Sequence, residues 1–101
     1  MTCKQDQKIT QLAKRLQVLG KKAVIAYERE VDEILDSNCR EKHRIERTLD
    51  GMLDFCFDKE MLLLYKKLCR YYYAIDRNDA TEYVYAYRDM WEPKDSDNRE
   101  N

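Results

Sequence analysis

Cys39 and His43 are the residues whose types and spacing come closest to those of a reactive site. They are four positions apart, so on a helix they would lie on one face. A thiol and an imidazole placed in this way could form a nucleophile–base pair, or could supply two ligands to a soft metal ion such as zinc. His43 is the only histidine in the sequence, so any imidazole chemistry would depend on it.

The surrounding sequence favours neither kind of site. Structural zinc sites bring their ligands in close pairs, whereas Cys56 and Cys69 each stand alone. His43 lies among charged residues that are typical of a solvated helix face, and we interpret it as a surface residue. The only two glycines are isolated, which excludes a glycine-rich phosphate loop. We therefore predict no catalytic residue, metal, cofactor or small-molecule ligand, and a protein that is not an enzyme.

Tyrosine is the unusual residue type, because six of the eight tyrosines lie between positions 71 and 87. A tyrosine has a broad apolar ring and a polar tip, which suits both the edge of a core and a surface that binds another protein. The spacing places Tyr72, Tyr83 and Tyr87 in the core, and the remaining tyrosines either line its edge or form an interface. The candidate interface residues are Val18, Ile25, Tyr71, Tyr73, Tyr85 and Trp91.

The stretch from Phe57 to Ile75 predicts the helix around which the other elements pack. It contains no proline or glycine, and apolar residues recur in it at three- and four-residue spacing. The residues on its main face are Met61, Leu64, Leu68, Tyr72 and Ile75. Further apolar residues lie off that face, which is typical of a helix buried on several sides.

Residues 5–36 predict one long amphipathic helix that continues through Gly20. Its apolar stripe consists of Ile9, Leu12, Leu16, Leu19, Ala23, Tyr27, Val31 and Ile34. Val18 and Ile25 point away from this stripe and indicate contact on a second side. A row of basic residues on the opposite side is a candidate nucleic-acid face, formed by Lys4, Lys8, Arg15 and Lys22.

Capping patterns predict the other boundaries. Asn38 is three residues before Glu41, and this spacing predicts a second helix from about residue 39 to 56. Asp58 can cap a new helix, so we expect a kink or a break near Phe57. Asp79 and Glu82 have the same spacing, and they predict a last helix from 80 to 91, before the only proline.

These elements predict an all-α fold: a small antiparallel helical bundle of three to four helices with a long first helix. Residues 1–93 form one helical domain, and residues 94–101, which have no apolar side chain, are expected to be a disordered polar tail. The longest aliphatic run is too short to cross a bilayer, and no signal peptide opens the chain. We therefore expect a cytoplasmic protein with reduced thiols and no membrane partner.

The surplus of apolar and aromatic surface predicts a non-enzymatic helical protein–protein interaction module that self-associates. Its partner would be another protein, a second copy of the chain, or both. The alternative is a small nucleic-acid-associated regulator that uses the basic face of the first helix. The net charge of −1 and the lack of aromatic residues among those basic side chains disfavour that alternative.

Overall fold

A computed structural model describes residues 2–92 of the chain, with side chains from residue 8 onward. Four helices follow one another: α1 (Thr2–Asp36), α2 (Lys42–Leu53), α3 (Lys59–Ile75) and α4 (Arg77–Trp91). Within these described residues there is no strand, and the predicted all-α helical bundle with a long first helix is confirmed. The predicted tail at 94–101 lies outside the described residues.

The connection between α1 and α2 corrects one capping prediction. Asn38 has a positive φ of 52°, and the backbone N–H of Cys39 donates to the carbonyl of Ile34 over 2.9 Å. Asparagine tolerates this left-handed conformation better than most residues, so Asn38 ends α1 instead of starting α2. α2 begins three residues later than predicted, and Glu41 stands at its N-cap without a side-chain bond.

The expected break near Phe57 is confirmed. α2 ends at Leu53, and α3 begins at Lys59 after a turn. The side chain of Asp58 accepts hydrogen bonds from the backbone N–H groups of Glu60 and Met61, at 2.8 and 3.2 Å. Two of the otherwise unpaired N–H groups at the start of α3 are satisfied in this way, which fixes the direction of the helix.

A single residue, Asp76, separates α3 from α4. Its side chain accepts a hydrogen bond from the N–H of Asp79 over 3.0 Å, so Asp76 is the N-cap of α4. The predicted cap at Asp79 is therefore wrong by one turn, because Asp76 offers the same chemistry at the point where the chain reverses. α4 ends at Trp91, as predicted, and Glu92 is extended, as expected for a residue that precedes a proline.

α3 is the central element, since it packs against each of the other three helices. Met61, Leu68 and Tyr72 are fully buried, as the face pattern predicts. The hydroxyl group of Tyr65 donates to the carbonyl of Tyr83 over 2.6 Å, which ties α3 to α4. No helix in the described part of the chain is long and apolar enough to cross a membrane.

Candidate interaction surface

The first part of α1 projects beyond the bundle. Every residue from 8 to 19 is exposed, and we call this segment the arm. Gly20 is buried, and a Cβ atom added to it would lie 3.0 Å from the ring of Phe57. The packed part of α1 therefore begins at Gly20, and the arm extends about 18 Å beyond it at 1.5 Å per residue.

The arm carries the largest run of exposed aliphatic side chains along any one helix in the described residues. Ile9, Leu12, Leu16 and Leu19 are each 53–64% exposed, and we call these four residues the arm stripe. They are in phase with Val31 and Ile34, which are fully buried at the other end of α1. The face that α1 presents to its own core thus continues outward without a partner in the described chain.

The arm is also basic. Lys8, Lys14 and Arg15 lie in it, Lys21 and Lys22 follow, and there is no acidic residue from position 7 to position 27. Only one ion pair connects this group to the described bundle: Lys21 Nζ lies 3.7 Å from a carboxylate oxygen of Asp58. An apolar stripe in a cationic helix would be complemented by an apolar surface that adds no positive charge beside it.

Two of the six predicted interface residues serve the inside of the bundle. The hydroxyl of Tyr71 donates to the carbonyl of Cys39 over 2.7 Å, and Trp91 Nε1 donates to the carbonyl of Leu53 over 2.8 Å. Trp91 also packs against Phe57, with ring centroids 5.9 Å apart. Both side chains are half-buried and hold turns in place, so they offer only part of their surface to a partner.

The other four predicted interface residues, Val18, Ile25, Tyr73 and Tyr85, are exposed. They lie on three helices, with Val18 and Ile25 on the side of α1 that is turned away from the arm stripe. Of the predicted basic face, Lys8, Arg15 and Lys22 are exposed, and Lys4 lies outside the residues whose side chains are described. Sequence reasoning assigned the arm stripe to an apolar face but missed that this part of the face is uncovered.

The thiol groups are placed for packing. Cys56 and Cys69 are buried, and burial raises the pKa of each to about 12, so both thiols stay protonated at neutral pH. Cys39 is half-buried in the turn after α1, and His43 is exposed on α2. No group of three or more His, Cys, Asp or Glu side chains in the described residues is arranged to hold a metal ion.

Ion pairs at the opposite end of α1 join the helices that form the bundle. Arg44 on α2 contacts Glu30 and Glu33 on α1, at 3.0 and 3.3 Å. Lys42 on α2 contacts Asp76 and Asp79 at the α3–α4 corner. These charges are used within the chain, so the polar surface of the bundle leaves the arm as the segment with the most unused binding capacity.

Comparison of the chain with protein-family models, with curated proteins and with solved structures finds no match. The argument for function therefore rests on the chain's own surface.

Proposed function

We propose that the chain is a non-enzymatic helical protein–protein interaction module that self-associates through the arm stripe. The observation that carries this proposal is the exposure of Ile9, Leu12, Leu16 and Leu19 along one line of a helix that has no neighbour at that point in the described chain. Contiguous exposed apolar surface of this kind marks interaction sites. A symmetric pair of chains would cover both stripes at once.

The spacing of the arm stripe supports a second copy as its occupant. Steps of three, four and three residues are those of the a and d positions of a coiled coil, with Ile9 and Leu16 at a and Leu12 and Leu19 at d. In a parallel pair each residue would pack beside its own copy. Ile9 at a beside Leu12 at d is the combination that favours two strands over three.

The charges of the arm support a parallel pair over an antiparallel one. Lys8, Arg15 and Lys22 all fall at g positions of this heptad assignment. In a parallel pair they would face e positions of the second copy, where Ala13 and Gly20 carry no charge. In an antiparallel pair Lys8 would face Lys22 and Arg15 would face its own copy, and these like charges would repel.

Sedimentation velocity of the full chain over the micromolar range tests this proposal. We expect a dimer that dissociates on dilution. A Leu12→Glu and Leu16→Glu double variant should be a monomer with an unchanged circular dichroism spectrum per chain in the bundle region. Its matched control is Gln11→Glu with Gln17→Glu, which adds the same charge to the arm off the stripe and should still dimerise. A wild-type chain that stays monomeric at hundreds of micromolar would contradict the proposal.

The second candidate function, a nucleic-acid-associated regulator, is favoured by one observation. Lys8, Arg15 and Lys22 lie in one exposed row, and no acidic residue interrupts it between positions 7 and 27. Such a row could follow a phosphate backbone. Binding to duplex DNA and RNA at low ionic strength tests it, since phosphate contacts are strongest there. No binding under that condition removes the candidate, and binding that survives the Leu12→Glu and Leu16→Glu changes would favour it over self-association.

A further inference from the structure

A groove between α3 and α4 lies on the bundle, away from the arm. Its floor is formed by Tyr65, Cys69 and Ala80, all of which are buried, and it encloses about 310 Å³. Ala80 is the smallest side chain at this helix contact, and its size leaves room between the two helices. At one end the rings of Tyr65 and Tyr87 approach with centroids 6.3 Å apart.

The walls and rim of the groove differ in chemistry. Leu62, Tyr73 and Val84 form apolar walls. Lys66 and Arg70 lie one helical turn apart on α3 and line the same groove, and no acidic residue lines it. Neither cation has an ion-pair partner in the part of the chain that the structure describes. An apolar slot with two unpaired cations at its edge is therefore unbalanced in charge.

We propose that this groove binds a single-chain amphiphile with an anionic head, such as a fatty-acid monocarboxylate. The hydrocarbon chain lies between the apolar walls, and the carboxylate is held by Lys66 and Arg70, whose donors suit that group. The volume is at the lower end of the roughly 300–1,000 Å³ typical of ligand pockets, which suits one hydrocarbon chain and not a two-chain lipid. The arm of a second copy is disfavoured as an occupant, because its basic side chains would meet a basic rim.

Titration of the full chain with dodecanoate below its critical micelle concentration, followed by backbone amide NMR, tests the proposal. Dodecanol and dodecyltrimethylammonium serve as comparison ligands with a neutral and a cationic head. We expect saturable shifts confined to α3 and α4 with dodecanoate, and binding about tenfold weaker or more with either comparison ligand.

Two variants separate the head from the chain. Lys66→Ala with Arg70→Ala should weaken dodecanoate binding about tenfold, whereas the control pair Lys59→Ala with Lys67→Ala, on α3 but outside the groove, should leave it unchanged. Val84→Trp places a large side chain in the slot from a partly exposed wall and should abolish binding without loss of helix content. Equal binding of the cationic amphiphile, equal weakening by the control pair, or shifts spread over the whole chain would overturn the proposal. None of these outcomes depends on self-association through the arm.

Discussion

The replacement of Leu16 by alanine is expected to weaken the dimer without weakening the fold. Leu16 lies near the middle of the arm and is 54% exposed, so about half of its side chain is available for burial by a second copy. Full burial of a leucine is worth about 1.5–3 kcal/mol, and half of that is about 0.8–1.6 kcal/mol per chain. A symmetric dimer loses this amount twice, which corresponds to a dissociation constant raised about 10- to 200-fold.

Leu63→Ala is the matched control for that experiment. Leu63 is the same residue type, is even more exposed at 67%, and lies on α3 away from the arm. Sedimentation equilibrium should give an unchanged dissociation constant for Leu63→Ala, and both variants should unfold at the same denaturant concentration when measured below that constant. Equal dissociation constants for Leu16→Ala and wild type would refute the assignment of the arm stripe as the contact.

Three further predictions concern the bundle and are checked by denaturant unfolding. Leu68→Ala should lower the free energy of unfolding by about 2–5 kcal/mol because Leu68 is fully buried, and a loss below about 1 kcal/mol would show that its face is misassigned. A Cβ atom at Gly51 would lie 2.1 Å from the hydroxyl oxygen of Tyr27, so Gly51→Ala should destabilise the wild type; in a Tyr27→Ala background the same change should instead stabilise by up to about 1 kcal/mol, and destabilisation in both backgrounds would contradict the clash. The hydrogen bond from Lys42, with that from a backbone N–H, lowers the pKa of Asp76 below its ordinary 3.8; the stability from this pair is present above 3.8 and lost as the pH falls through the lower folded-state pKa, so the difference in unfolding free energy between wild type and Lys42→Met should shrink in that acid range, and a constant difference would argue against the pair.

The fold class and the central helix could be predicted because local rules and burial agree there. From Met61 to Tyr72 the apolar spacing, the absence of helix breakers and the cap at Asp58 all indicate the same helix, and the structure contains it. Asn38 and Asp76 were harder to place, because a short polar side chain can end one helix or start the next. Only the backbone conformation that the tertiary contacts impose decides between these two roles.

The interface residues were less predictable than the helices, because exposure depends on which neighbours reach a given side chain. Tyr71 and Tyr73 are two positions apart and have the same side chain, yet one is bonded to the turn carbonyl of Cys39 and the other is exposed. Nothing in the local sequence separates them. The difference arises because the α1–α2 turn packs over one side of α3 and leaves the other side to the groove.

The arm stripe could have been anticipated from helix lengths, although not from periodicity. Periodicity tells which side chains need an apolar partner, but it does not tell whether that partner belongs to the same chain. α1 has 35 residues and so spans about 52 Å, whereas the longest of the other helices, α3, has 17 residues and spans about 26 Å. A bundle of helices half as long cannot cover a stripe that follows the whole of α1. Part of that stripe must therefore be left for a second molecule, and the burial of Gly20 marks the point where the chain's own core ends and that need begins.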